Sequence, residues 1–198
     1  MVDRFDVGSA HGRFQPLHKG HMEYLLAAKE RCDHLWVGIT QYNVRSLSDN
    51  PVDPHRTRPQ DNPLTYFERV QIIREAFAEE GITEEQFGIL PFPIETPQLL
   101  RDFLSTDVPV FTTVYDDWNR HKIRVLREAG YEVITLWERD EKEYKGTEVR
   151  EKIMNGDPSW EGLVPPATVR AVRAYNVRER LLFRSGATIP VKDAESHV

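Results

Sequence analysis

Two rhythms of apolar positions alternate along the chain. Short apolar runs predict strands at residues 5–10, 34–40, 87–94, 108–114 and 131–137, the third cut short by its prolines. Between them, helical spacing predicts helices over 20–31, 65–80, 98–104, 119–129 and 147–155, and Pro165-Pro166 introduces a last helix over 167–175. Met22, Leu25, Leu26 and Cys32 share one side of the first helix. The second helix has a capping box, Thr65 at the N-cap and Glu68 at N3. Its apolar stripe is Tyr66, Val70, Ile73 and Phe77, and Gly81 stops it. Strands that alternate with helices predict an α/β fold, a doubly wound parallel sheet in a single domain over 1–183 with C-terminal helices. Residues 184–198 read as a loose tail. The segment 41–63 carries four prolines and little apolar content, and loops of that length usually have a task.

The most informative stretch follows the first strand: Gly12-Arg13-Phe14-Gln15-Pro16-Leu17-His18-Lys19-Gly20-His21. In an open parallel sheet, ligands sit beyond the carboxyl ends of the strands, where this loop stands. The helix behind it presents unpaired N–H groups and the positive end of its dipole. Gly20 lets a phosphate approach the backbone closely. His18 and His21 can donate hydrogen bonds to phosphate oxygens and, if protonated, offset developing charge. The bland alternative is a histidine pair that only caps the helix.

Composition narrows the classes. Apolar residues at 39% and charged residues at 29% are ordinary for a soluble globular domain. A net charge of −6 gives no positive field for nucleic acid or an acidic membrane. Cys32 is the only cysteine, which excludes an internal disulfide and a cysteine-rich zinc site, and a buried structural thiol is expected. The first residues lack the apolar core of a signal peptide and no run approaches membrane-spanning length, so a cytoplasmic protein is expected. No carboxylate cluster reads as a metal site, and there is no nucleophile–base order of a hydrolase.

With those residues in view, the chain resembles the nucleotidylyltransferases that carry an H-x-G-H signature, here His18-Lys19-Gly20-His21, on a Rossmann-like fold. Gly12–His21, Asn62-Pro63-Leu64-Thr65-Tyr66-Phe67-Glu68-Arg69 and Lys145-Gly146-Thr147-Glu148-Val149-Arg150 are similar, in that order, to segments of archaeal-type nicotinamide-nucleotide adenylyltransferases. Residues 156–165 are similar to the tail that follows in those enzymes. Tyr115-Asp116-Asp117-Trp118 departs from them and resembles the G-D-D-W segment of glycerol-phosphate-type cytidylyltransferases, with Tyr115 in place of the glycine. A helix over 98–104 without the tryptophan expected near a nicotinamide ring is a second departure.

The resemblance implies in-line attack by a phosphate or phosphonate oxygen on the α-phosphorus of a nucleoside triphosphate, with release of pyrophosphate. Such an acceptor is already anionic, so positioning and charge stabilisation carry the reaction. His18 and His21 would serve the triphosphate and the transition state, with Arg13 and Lys19 neutralising phosphate charge. Gly12, Phe14, Gln15 and Gly20 would complete the phosphate loop, and Thr147 and Arg150 would meet the β- or γ-phosphate. Asp116, Asp117 and Trp118 would contact the nucleoside, or else form an ordinary strand-to-helix turn with Asp117 as the cap. Arg69, Arg56 and Tyr115 would face the acceptor. The loop with Arg45, His55, Arg56 and Arg58 would be a lid over a small dianion, or a charged segment without order. Mg²⁺ would arrive bound mainly through the triphosphate. The favoured reaction is CMP transfer from CTP to a small phosphonate. The runner-up makes NAD from ATP and nicotinamide mononucleotide, and a third reading is a non-catalytic nucleotide-binding module. The sequence leaves the oligomeric state open, a homo-oligomer included.

Overall fold

The computed structural model describes residues 4–45, 47 and 58–186. Its sheet has five parallel strands in the order β3-β2-β1-β4-β5. These are β1 (Phe5–Gly12), β2 (Cys32–Ile39), β3 (Phe87–Pro91), β4 (Val110–Val114) and β5 (Val133–Glu138). The helices are α1 (Lys19–Glu30), α2 (Tyr66–Glu79), α3 (Asp117–Glu128), α4 (Gly146–Asn155), α5 (Pro166–Ala174) and α6 (Val177–Ser185). One core joins α1, α2 and the C-terminal helices to one face of the sheet, through Leu25, Leu35, Ile73, Phe111 and Leu181 among others. A smaller one, with Phe92, Val110, Leu126 and Val133, lies on the other face under α3.

The expected doubly wound sheet is present, with informative differences at its edges. β1 runs two residues past the predicted end because Gly12 still pairs with Ile39. Cys32 is not on a helix: Arg31 caps α1 and the chain turns at once into β2. The thiol is buried as expected, and burial pushes it up to about 11. The capping box of α2 forms as read, with the Thr65 N–H donating to Glu68 at 2.8 Å. The brief helix near 98–104 is a 3₁₀ turn at Pro97–Asp102. A second 3₁₀ turn at Pro158–Leu163, and α6, were not foreseen. α6 begins after Asn176, which takes the left-handed conformation at φ 50°, and it buries only Val177 and Leu181. α6 runs to Ser185, past the expected start of a tail at 184, and residues 187–198 lie outside those described.

The strand order reverses between β1 and β4, and the two strands part there. They pair only through Ser9–Val110 and Ala10–Phe111. Beyond that, the buried Tyr24 hydroxyl of α1 stands between them: it donates to the Phe111 carbonyl at 2.7 Å and accepts from the His11 N–H at 3.0 Å. A cleft of about 640 Å³ opens above this point, at the carboxyl end of the sheet.

Candidate active site

The Gly12–His21 loop is held from three directions by its own carbonyls. The Arg13 carbonyl accepts from Arg69 of α2 at 2.8 Å, that of Gln15 from Arg150 of α4 at 2.9 Å, and that of Leu17 from the Thr168 hydroxyl of α5 at 3.0 Å. The Gln15 side chain adds a two-way bond to the Leu64 backbone, at 2.7 and 2.9 Å. Phe14 takes a left-handed φ of 52° and turns its ring against Gly12, where a Cβ would come within 2.7 Å of it. The same ring meets His21 edge-on, 5.1 Å between centroids. The loop is thus preorganised before any substrate arrives.

His18 and His21 form a reciprocal cap on α1. His21 N–H donates to His18 Nδ1 at 3.2 Å, and His18 N–H donates to His21 Nδ1 at 3.4 Å. Each Nδ1 accepts, so each neutral ring carries its proton on Nε2. The rings stack with centroids 3.5 Å apart. Burial, then the charges of Arg150 and Lys142, lower His18 to about 3. Burial first, then His18, Arg13 and two lysines, hold His21 well below the usual range. Both rings are therefore neutral at pH 7 without ligand, and they act as N–H donors rather than as preformed cations. Capping does not compete with donation from Nε2: the cap fixes the tautomer that carries that proton.

Arg150 lines the cleft but is almost fully buried, and its guanidinium pairs with Asp61, which ends a 3₁₀ turn at Pro59–Asp61. Thr147 also lines the cleft, its hydroxyl 3.4 Å from Arg150. α4 starts one residue before the expected 147, so Thr147 lies inside its first turn and the cap position is Lys145, which makes no side-chain cap bond. On the opposite wall, Asp116 rather than Asp117 caps α3, accepting from the Asn119 N–H at 2.9 Å. Burial alone would raise Asp116, but the Lys142 ammonium at 2.5 Å and the Asn119 N–H hold it below the usual carboxylate range. Trp118 lines the same wall, tilted against His121. The Tyr115 hydroxyl accepts from Trp137 at 2.8 Å, and its ring lies under Lys142.

The cleft gathers most of the expected residues: Gly12, Arg13, Phe14, Gln15, His18, Gly20, His21, Tyr115, Asp116, Trp118, Thr147 and Arg150. Four expectations are corrected. Lys19 is exposed on the first turn of α1 and Asp117 is exposed on α3, and neither lines the cleft. Arg69 does not reach toward an acceptor. It is fully buried and donates to the carbonyls of Thr65, Arg13, Thr40 and Gln41, so its charge is spent on main chain. Burial lowers it to about 10, still a cation at neutral pH. The Gln15 side chain is taken up by Leu64, which leaves it a support for the loop. His55 and Arg56 lie outside the described residues.

Sequence reasoning missed Lys122, Arg139, Lys142 and Lys145, all lining the cleft, together with His11, Thr40, Thr112 and Asn119. Residues 139–145 form a charged run between β5 and α4, and no local pattern in it points to the cleft. Among the described residues no group of three or more His, Cys, Asp or Glu could hold a metal ion, and no helix is long and apolar enough to cross a membrane.

The comparisons agree with this geometry. The cytidylyltransferase-like family model matches residues 9–152. The phosphonoformate cytidylyltransferase of Streptomyces viridochromogenes is 42% identical over 175 residues, covering 88% of this chain and 95% of that one. The nicotinamide-nucleotide adenylyltransferase of Pyrobaculum neutrophilum is 32% identical over 187 residues, covering 94% and 95%. In fold, the chain is similar to a bifunctional NMN adenylyltransferase/ADP ribose pyrophosphatase from Francisella tularensis complexed with AMP and a manganese ion. That likeness has a TM-score of 0.61 at 19% identity, and it covers 94% of this chain but about half, 53%, of the other. The motif loop stands at the switch point of a parallel sheet and faces an arginine-bearing helix start, and the sequence relatives match nearly the whole chain: the chain belongs to the cytidylyltransferase-like family and is a nucleotidylyltransferase.

Proposed function

We propose that this nucleotidylyltransferase moves CMP from CTP onto a small phosphonate of the phosphonoformate kind. The similarity to a phosphonoformate cytidylyltransferase carries the reading, at 42% identity against 32% for the first of the archaeal adenylyltransferases. The wall of Tyr115, Asp116 and Trp118, where the sequence departs from the adenylyltransferase pattern, supports it.

The triphosphate lies along the motif loop, with its α-phosphate at the His18 and His21 Nε2–H groups and its β- and γ-phosphates toward Thr147 and Arg150. Arg13, Lys142 and Lys122 add positive charge to the same cleft; each depresses the titration of a motif histidine. A phosphonate oxygen attacks the α-phosphorus. The new P–O bond forms as the α–β bridging bond breaks, and the electron pair leaves with pyrophosphate. The attacking oxygen is already deprotonated, so no side chain has to act as a base. The histidine N–H donors tighten on the non-bridging oxygens as charge builds there. Mg²⁺ would offset phosphate charge when bound, but the described residues offer it no carboxylate cluster. It would be held by the triphosphate, with most of its waters kept.

Phosphorus NMR of a reaction with CTP and phosphonoformate tests the reading. The expected products are pyrophosphate and a mixed CMP–phosphonate anhydride, and the absence of the anhydride signals would refute it. The runner-up, ATP with nicotinamide mononucleotide, is favoured by the similarity to the archaeal adenylyltransferases.

A further inference from the structure

A third imidazole lines the cleft, and the phosphate chemistry above gives it no role. His11 stands near the end of β1, is 3% exposed, and lies flat on Phe92, with ring centroids 4.5 Å apart and planes 9° from parallel. The neighbouring strand makes this stack possible. His11 pairs in register with Gly38 of β2, and a Cβ at Gly38 would come within 2.6 Å of the Phe92 side chain. Only glycine at 38 leaves Phe92 its place beside the imidazole. The His11 backbone is fixed by its main-chain N–H, which donates to the Tyr24 hydroxyl where β1 and β4 part. A leucine or phenylalanine would pack on Phe92 as well. An imidazole adds polar ring nitrogens at the edge of the cleft floor.

The surroundings say what such a ring would meet. Thr40 follows β2 and Thr112 lies in β4, both almost fully buried and both lining the cleft, and Arg13 lies two residues along the chain. This side offers hydroxyls, an imidazole and a guanidinium. The carboxylates of the cleft come instead from α1, from the start of α3 and from the connection between β5 and α4. The second side also carries Lys122, Arg139, Lys142 and Lys145, so what sets the first side apart is that, among the residues lining the cleft, it brings cationic and hydrogen-bonding groups without a carboxylate.

We infer that His11, with Thr40 and Thr112, forms the acceptor subsite, and that an imidazole N–H binds a second anionic group on the acceptor, a carboxylate attached to the attacking phosphonate. The inference rests on the phosphonate reading above and names the residue that would make a carboxylated acceptor preferred. A donor aimed at that carboxylate separates acceptors that carry it from those that do not.

The test is steady-state pyrophosphate release from CTP with phosphonoformate and with methylphosphonate, which lacks the carboxylate. His11→Phe keeps an aromatic ring on Phe92 and removes the N–H. It should raise the phosphonoformate KM about tenfold or more, the worth of one hydrogen bond to a charged group. The CTP KM should stay within about twofold, and the methylphosphonate KM should not move. His11→Asn, smaller and still polar, keeps a donor and should lose less; it also serves if the phenylalanine variant fails to fold. An unchanged phosphonoformate KM in a folded variant overturns the subsite alone. A wild-type protein that turns over neither phosphonate overturns the underlying reading, and the subsite with it.

Discussion

The Asp61 carboxylate holds the Arg150 guanidinium in an ion pair without itself reaching the cleft. The pair is buried, with side-chain exposures of 13% and 5%, and Arg150 also donates to the Gln15 carbonyl. Arg150 is thereby aimed, and its charge is kept in a place where burial alone disfavours it. Asp61→Asn should raise the triphosphate KM about tenfold and leave the acceptor KM alone. In an Arg150→Ala background the same substitution should add nothing, because the two act as one unit. Additive losses in that double-mutant cycle would show that Asp61 acts elsewhere.

His18 has two duties on two nitrogens, and substitutions separate them. Asparagine can keep an oxygen near Nδ1 to cap α1 but has nothing at Nε2. Glutamine can place an N–H near Nε2 but gives up the cap. His18→Asn should retain stability and lose about 10²–10³ in kcat. His18→Gln should lose about 1 kcal/mol of stability with a smaller kcat loss. Equal kcat losses in both variants would contradict the tautomer assignment.

Stability should fall on acidification for a stated reason. His18 is lowered from 6.5 to about 3 in the fold, so below about pH 6.5 the unfolded chain takes up a proton that the native state refuses. The contribution is complete above that pH and is lost progressively down to about pH 3. Melting temperatures between pH 7 and pH 4 should drop less steeply for His18→Asn than for the parent. Parallel curves would argue against a neutral, buried His18.

Arg69 gathers four carbonyls from the motif loop, the end of β2 and α2. Its removal leaves buried acceptors without donors. Arg69→Ala should cost about 3–5 kcal/mol, read as a lower denaturant midpoint. A loss below about 1 kcal/mol would show that water replaces the guanidinium.

What could be read in the sequence was local. The capping box at Thr65, the motif loop and the strand–helix alternation are set by neighbours a few residues apart, and all are present in the fold. Arg69 was misplaced because its partners at Arg13 and Thr40 are 56 and 29 residues away, and a helical arginine gives no sign of pointing inward. Asp61 stayed silent for the same reason, 89 residues from Arg150. Lys142 and Arg139 sit in a charged run that looks solvated until β5 and α4 bring it over the cleft. α6 buries two residues, too thin a stripe to announce a helix.

The most direct measurement compares kcat/KM for pyrophosphate release in two pairings, CTP with phosphonoformate and ATP with nicotinamide mononucleotide. A pyrimidine pocket rejects a purine by volume, and a site that hydrogen-bonds the base rejects one that leaves its polar groups unpaired. The account predicts that the CTP–phosphonoformate pair is faster by at least about a hundredfold, and that His18→Asn slows both pairings by a similar factor, because the α-phosphate it serves is common to both donors. A preference for ATP with nicotinamide mononucleotide would contradict the assignment of the Tyr115–Trp118 wall and restore the adenylyltransferase reading.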